Sequence, residues 1–187
     1  MGFMADTFLT VNETAGYVLF DQSFRDLVTL NAGIRYEHHS TYGAAWVPQA
    51  GFSVQPFRGT TFKGLLSKGF RSPTIMELYL FAPNAALEPE STLNYELSVA
   101  QQIGNRVRAE LTGFIVRGEN LIVMQGNPSP PPPMMRVNGG EFNNRGIEFE
   151  STVLVMEGLT TRFNYSFLDI SEPLLFAPKH QVYLGGS

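Results

Sequence analysis

Residues 27–40, LVTLNAGIRYEHHS, decide the fold. Val28, Leu30, Ala32, Ile34 and Tyr36 fall on one side of an extended chain, and Thr29, Asn31, Gly33, Arg35 and Glu37 on the other. A strict period of two is the mark of a β-strand with two unlike faces. One face meets water. The other meets either a protein core or a lipid.

The same alternation recurs along most of the chain. Ala50, Phe52 and Val54 oppose Gln49, Ser53 and Gln55, and Leu66 opposes Lys63 and Ser67. Leu93, Tyr95, Leu97, Val99 and Ile103 oppose Asn94, Glu96, Ser98 and Gln102. Val107, Ala109, Leu111 and Ile115 oppose Arg108, Glu110 and Thr112. Ile147, Phe149, Val153 and Val155 oppose Glu148, Glu150 and Thr152; Leu159, Phe163, Tyr165 and Phe167 oppose Arg162, Asn164 and Ser166. This gives an all-β antiparallel meander of about nine strands of roughly 8–13 residues, longer than the usual five or six. One helical turn is expected after Ser72-Pro73, with Ser72 as its cap and Pro73 at its first position.

Connections carry a second signal. Gly104-Asn105-Arg106 and Met156-Glu157-Gly158 read as tight turns, whereas Gly69–Thr92, Gly118–Gly140 and Asp169–Lys179 are long and rich in polar residues or proline. Short and long connections alternate, so the short ones share one end of the sheet. Outer-membrane barrels have that asymmetry, with tight turns inside and long loops outside.

Composition narrows the function. The 187 residues are 43% apolar but only 16% charged, below the roughly one quarter of a typical soluble domain. Fifteen Phe, seven Tyr and 18 Gly suit an aromatic, turn-rich β protein. A net charge of -4 with no basic cluster argues against nucleic acid as a partner. The absence of cysteine excludes disulfides, thiolate metal sites and Cys nucleophiles. No apolar run is long enough for a spanning helix. MGFMADTFL at the start lacks the pattern of a signal peptide, and HQVYLGGS at the end stops inside a strand pattern, so the chain is expected to be an internal segment.

Periodicity alone leaves two alternatives. A soluble all-β binding module would bury Val28 to Tyr36 in a core. A membrane barrel would turn the same face to lipid and enclose Arg35 and Glu37 in its lumen, with Tyr36, Trp46, Tyr165 and Phe167 in interfacial girdles.

Specific residues break the tie. The stretch SKGFRSPTIMELYLFAPNAALEPESTLNYELSVAQ resembles a segment of the TonB-dependent outer-membrane receptors. It carries an S-x-G-F-R-x-P strand end (Ser67 to Pro73), an N-x-x-L-x-P-E element (Asn84 to Glu90) and a Y-E-L strand (Tyr95 to Leu97). Gly113 to Ile122, Val137 to Glu150, Asn164 to Asp169 and Ala177 to His180 resemble the pieces that follow in that family, in the same order. GIRYEHHSTYG and WVPQAGFSV fit the preceding pair of strands, and the resemblance runs from about residue 13 to 187.

The resemblance implies part of a transmembrane β-barrel of about 22 strands in the intact family. It also implies a bacterial outer-membrane location, a separate plug domain, and energy-coupled uptake through TonB of a scarce ligand. That ligand is a ferric siderophore, cobalamin or a similar small-molecule metal chelate or vitamin. Residues 1–187 are expected to be barrel without the plug and without the final strands, so their partners are outer-membrane lipid, the plug and the remaining strands.

The chemistry-bearing residues point to binding rather than catalysis. His38 and His39 are adjacent and face opposite ways on a strand, and His180 is the only other histidine. A resident metal or cofactor is therefore not expected, and there is no metal-protease, lipase or phosphate-loop motif. A barrel hydrolase is the enzymatic alternative and needs one of these histidines beside a serine and a carboxylate. Glu148 and Glu150 share a face with Arg162 and are expected to pair with it in the lumen. Arg71 either contacts an anionic ligand or the plug, or pairs with Glu77 or another local carboxylate. In the Gln125–Gly140 stretch, a stiff proline run at Pro130–Pro133 precedes Met134, Met135 and Arg136, which are ligand-contact candidates at an exposed tip.

Overall fold

The computed structural model of the chain describes residues 10–25, 27–126, 128, 133–171 and 178–187. Within them lie nine strands and one short helix. The strands are β1 (Glu13–Phe24), β2 (Val28–His39), β3 (Gly43–Phe57), β4 (Thr60–Arg71), β5 (Glu90–Ile103), β6 (Val107–Gly126), β7 (Met134–Met156), β8 (Leu159–Asp169) and β9 (His180–Gly186); the helix α1 is Ile75–Tyr79. The strands form one antiparallel sheet in chain order, each paired with the next. β1 and β9 are its two edges, so the sheet does not close on itself.

Register carries the two-faced pattern through every strand. One row runs Leu30, Phe52, Gly64, Leu97, Gly113, Ile147 and Phe167 from β2 to β8. The next row on the opposite face runs Ser53, Lys63, Ser98, Thr112, Glu148 and Ser166. At Gly64 the Phe52 and Leu97 side chains lean over the backbone; a Cβ there would sit 2.4 Å from the Phe52 ring. Small residues thus let large ones pack sideways within the sheet.

Among the described residues, no second layer covers the apolar face. Leu97 is 66% exposed, and Phe52, Leu66, Leu111 and Ile147 are exposed beside it. Among the described residues the buried hydrophobic ones are Leu78, Leu87 and Ala100, of which Ala100 alone lies in the sheet. A sandwich would bury this face under another sheet. A membrane barrel leaves it for lipid to cover.

At one end the connections are residues 25–27, 58–59, 104–106 and 157–158, all tight. At the other they are 40–42, 72–89, 127–133 and 170–179. The asymmetry expected from the sequence is present, with two differences. The β2–β3 connection at the long-loop end is itself short. More consequentially, Gly118–Gly140 is not a loop. β6 and β7 run on as a ladder through Val123↔Val137 to Gly126↔Met134. Leu121, Val123, Met135 and Val137 keep the period of two, and the glycines and asparagines between them form irregularities in the ladder rather than its end. Asn120, at φ +57, marks one of these.

The β7–β8 hairpin has the register that the sequence implies: Thr152 opposes Arg162, Glu150 opposes Asn164 and Phe149 opposes Tyr165. Gly158 takes the left-handed backbone, φ +81, but the loop is two residues long with an irregularity between Leu154 and Met156. The helix differs from expectation too. Its cap is Thr74, not Ser72, because Thr74 and Glu77 form a reciprocal capping box.

Candidate functional site

The long-loop end of the charged face carries the most elaborate side-chain chemistry of the molecule. It begins at Arg71, the last residue of β4, which lies opposite Glu90, the first of β5. The guanidinium donates to both oxygens of Glu90, each at 2.7 Å, and to Glu77 Oε2 at 3.0 Å. Two parallel N–H···O bonds fix the plane of the pair as well as its distance. Glu77 also accepts from the Thr74 amide at 2.8 Å. The Arg71 hydrogen bond, with help from Thr74, pulls the Glu77 carboxyl down to about 2.

The 72–89 segment then turns back across the tall β6–β7 hairpin. Leu78 and Leu87 are its buried apolar anchors. Asn84 Nδ2 donates to the Arg136 carbonyl at 2.7 Å. Asn138 reads three backbone groups: its Oδ1 accepts from the Glu88 amide, and its Nδ2 donates to the Glu88 and Asn120 carbonyls, all at 2.8 Å. The Ile122 amide donates to Glu90 Oε1 at 2.8 Å. One connecting segment and four strands are thereby tied into one cap.

Arg136 completes it. Its guanidinium donates to the carbonyls of Phe81 and Leu80, just past α1. Those carbonyls belong to a strained corner, for Phe81 and Ala82 sit at φ +42 and +62. Successive non-glycine residues there are costly and persist only where the surroundings enforce them. Phe81 is left 74% exposed. Arg71 and Glu90 continue the face of Lys63 and Ser98, so this part of the cap overhangs the charged face.

Of the four ligand-contact candidates, the structure brings Arg71 and Arg136 to the same segment, each engaged with it. Met134 and Met135 are the first residues of β7, opposite Gly126 and Gln125. Arg136 is therefore a half-buried ladder residue, not part of an exposed tip. Pro130, Pro131 and Pro132 lie outside the described residues.

Below the cap, Lys63 pairs with Glu110 at 2.7 Å, Arg108 with Glu110 at 3.1 Å, and Arg35 with the buried Glu37 at 2.5 Å. The expected pairing of Glu148 and Glu150 with Arg162 does not form among the described residues. Register sets Glu150 against Asn164 and Arg162 against Thr152, a ladder step apart. Glu148 and Glu150, with Asn164, Ser166, Gln181 and Tyr183, instead line a concave space of about 510 Å³. His38 and His39 end β2, where His39 stacks on Tyr42 at 3.9 Å; His180 starts β9 and bonds the Tyr165 hydroxyl at 2.9 Å. The histidines therefore sit on strands seven positions apart in the sheet order. The polar groups of this surface bond one another and the backbone.

Asn138, Asn84 and Thr74 hold the cap together through side-chain hydrogen bonds. The spacing Thr74-x-x-Glu77 signals the capping box, and Asn84 and Asn138 lie in stretches singled out from the sequence, whose backbone partners no local pattern shows.

Comparisons with known proteins follow the same lines. The family described as TonB dependent receptor-like, beta-barrel matches residues 4–187. The iron-regulated outer membrane virulence protein of Vibrio cholerae serotype O1 is 24% identical over 204 residues, covering 93% of this chain and 31% of that protein. The chain thus spans about a third of the length of the curated relatives it matches. Among solved structures, the siderophore receptor PirA from Pseudomonas aeruginosa superposes with a TM-score of 0.76 at 24% identity, over 86% of this chain and 32% of that one. PirA from Acinetobacter baumannii gives 0.81 at 18% identity, over 92% and 30%. These superpositions establish the fold.

Proposed function

The chain belongs to the TonB-dependent receptor family, and from that membership we propose that it is barrel wall of a bacterial outer-membrane receptor for energy-coupled uptake of a scarce metal chelate. The family match over residues 4–187 carries this conclusion. A ferric siderophore is the favoured ligand class, because the relatives include receptors named for siderophores. Cobalamin or a similar vitamin is the alternative within the class. The two solved PirA structures are named as receptors, not as enzymes.

The sheet's partners follow from its shape. An open membrane sheet leaves two rows of unpaired backbone groups, which lipid cannot satisfy. Further strands complete the barrel at β1 and β9, a plug domain fills the lumen against the charged face, and TonB supplies the energy.

Ligand selection resides at the capped end. Met134 and Met135 offer apolar contact beside it, while Arg71 and Arg136 act by holding the 72–89 segment in place. In the intact receptor, deletion of residues 127–133 lowers ligand affinity and uptake while heat-modifiable barrel assembly stays normal. Unchanged affinity and uptake of a ferric siderophore after that deletion would move recognition to the plug or other loops.

A further inference from the structure

Asn138 and Gly139 form the one Asn-Gly pair in the chain. An asparagine side chain is open to attack by the backbone nitrogen of the next residue, and glycine, with no Cβ, hinders that attack least. The pair lies where the β6–β7 ladder is irregular. Register passes from Ile122↔Asn138 to Leu121↔Gly140, so Gly139 has no partner residue across the ladder, and it is exposed. The backbone has room there: a Cβ built at Gly139 meets Val137 Cγ2 at 3.8 Å and nothing nearer. The restraint on the pair is the cap. Asn138 Nδ2 donates to the Glu88 and Asn120 carbonyls and Oδ1 accepts from the Glu88 amide, all at 2.8 Å. Both ends of the side-chain amide are thereby committed to other segments of the chain.

We propose that Asn138-Gly139 is a self-modification site gated by the cap: it deamidates when the 72–89 segment lets go, and the product keeps the segment from closing again. The Gly139 nitrogen forms a bond to Asn138 Cγ, the Cγ–Nδ2 bond breaks, and ammonia leaves with the proton that Gly139 gives up. The succinimide so formed takes up water at one of its two carbonyls and opens to aspartate or isoaspartate. Water is the sole co-reactant. Either product replaces a group with two N–H donors by a carboxylate that only accepts. That carboxylate is left facing the Glu88 and Asn120 carbonyls to which Asn138 donates. Glu88, Glu90, Glu119 and Asn120 line one concavity, so the new negative charge also joins a place already rich in carboxylates. The site follows from the geometry of the cap and does not depend on which ligand the receptor takes.

The test compares the intact receptor, held in detergent in mildly alkaline buffer, with the free peptide VNGGEFNNR. This peptide is residues 137–145, which trypsin releases by cutting after Arg136 and Arg145. Fragment masses separate conversion at Asn138 from conversion at Asn143 or Asn144. Conversion at Asn138 is expected to be about tenfold or more slower in the receptor than in the peptide. Asn84→Ala loses the bond to the Arg136 carbonyl and leaves the Asn-Gly pair intact, so it should convert about tenfold faster than wild type. Gly139→Ala, which the backbone has room for, slows conversion below wild type. Asn138→Asp stands for the aspartate product and is expected to show faster amide exchange over residues 72–90. Equal rates in receptor and peptide would overturn the gate, and that comparison needs no variant. Conversion of Asn84→Ala at the wild-type rate, or an Asn138→Asp receptor whose cap stays fully protected, would overturn the proposal as well. Ligand uptake enters none of these readouts.

Discussion

The middle of the sheet and its cap are built on different principles. In the middle, every residue is placed by a ladder that repeats: Leu97 faces outward because Leu93, Tyr95 and Val99 do, and its neighbours Gly64 and Gly113 follow from register alone. In the cap nothing repeats. Asn84, Asn138, Arg71 and Arg136 each make bonds found nowhere else in the molecule, most of them to backbone. The repeating region tolerates change according to which face it touches. The cap responds to the loss of one particular group.

The largest effect expected is on the repeating region. Leu97→Arg puts a charge on the lipid face and is expected to destabilise the intact barrel by about 2–4 kcal/mol, read as a lower denaturant midpoint. Asn94→Arg, on the opposite face of the same strand, should shift it far less. Equal losses would mean that the faces are assigned the wrong way round. Next comes Gly59→Val in the β3–β4 turn. Its φ of +81 strains any side chain, and a Cβ there would lie 2.4 Å from the Gln102 carbonyl. About 1–3 kcal/mol and slowed assembly are expected.

Changes in the cap should be smaller and local. Asn138→Ala removes three hydrogen bonds and is expected to cost about 1–3 kcal/mol, confined to residues 72–90 and 120–138. Hydrogen exchange measures it: faster amide exchange there, with the middle of the sheet unchanged. Acceleration across β5 and β6 as a whole would show that cap and sheet unfold as one, erasing the distinction drawn above.

The smallest effect is set by pH. The Glu77 carboxyl is held near 2, below its ordinary 4.5, chiefly by the Arg71 hydrogen bond. A depressed carboxylate stabilises the fold above its unfolded value and ceases to do so as pH falls through the folded one. Cap protection should therefore be complete above about pH 4.5 and decline towards pH 2. Because Arg71 is partly exposed, the contribution is about 1 kcal/mol or less. Glu77→Gln should flatten this part of the profile, and an unchanged slope would assign the titration to another group.

Legibility in the sequence divides at the same boundary. The faces of β2, β5, β7 and β8, and the register of Glu150 with Asn164, follow from alternation and the left-handed preference of Gly158. The missed pieces are those where local signals compete. Gly118, Asn120, Gly139 and Gly140 look like loop residues, yet Val123 and Val137 continue the ladder past them. Ser72-Pro73 looks like a helix start, but the Thr74–Glu77 box places the start two residues later. Glu148, Glu150 and Arg162 looked like partners because they share a face, and the ladder step between them was not in that pattern.

By itself the sequence determined an antiparallel, two-faced sheet with tight turns at one end, because alternation is a property of each residue and its immediate neighbours. Its order of motifs also pointed to the receptor family. The tertiary structure alone decided that the apolar face stays exposed among the described residues, that β6 and β7 stand tall above the rest, and that Asn138 and Arg136 hold the 72–89 segment across them. Those bonds join residues about 50 positions apart. They exist only once several strands are paired in register, and no local pattern of residues encodes such a distance.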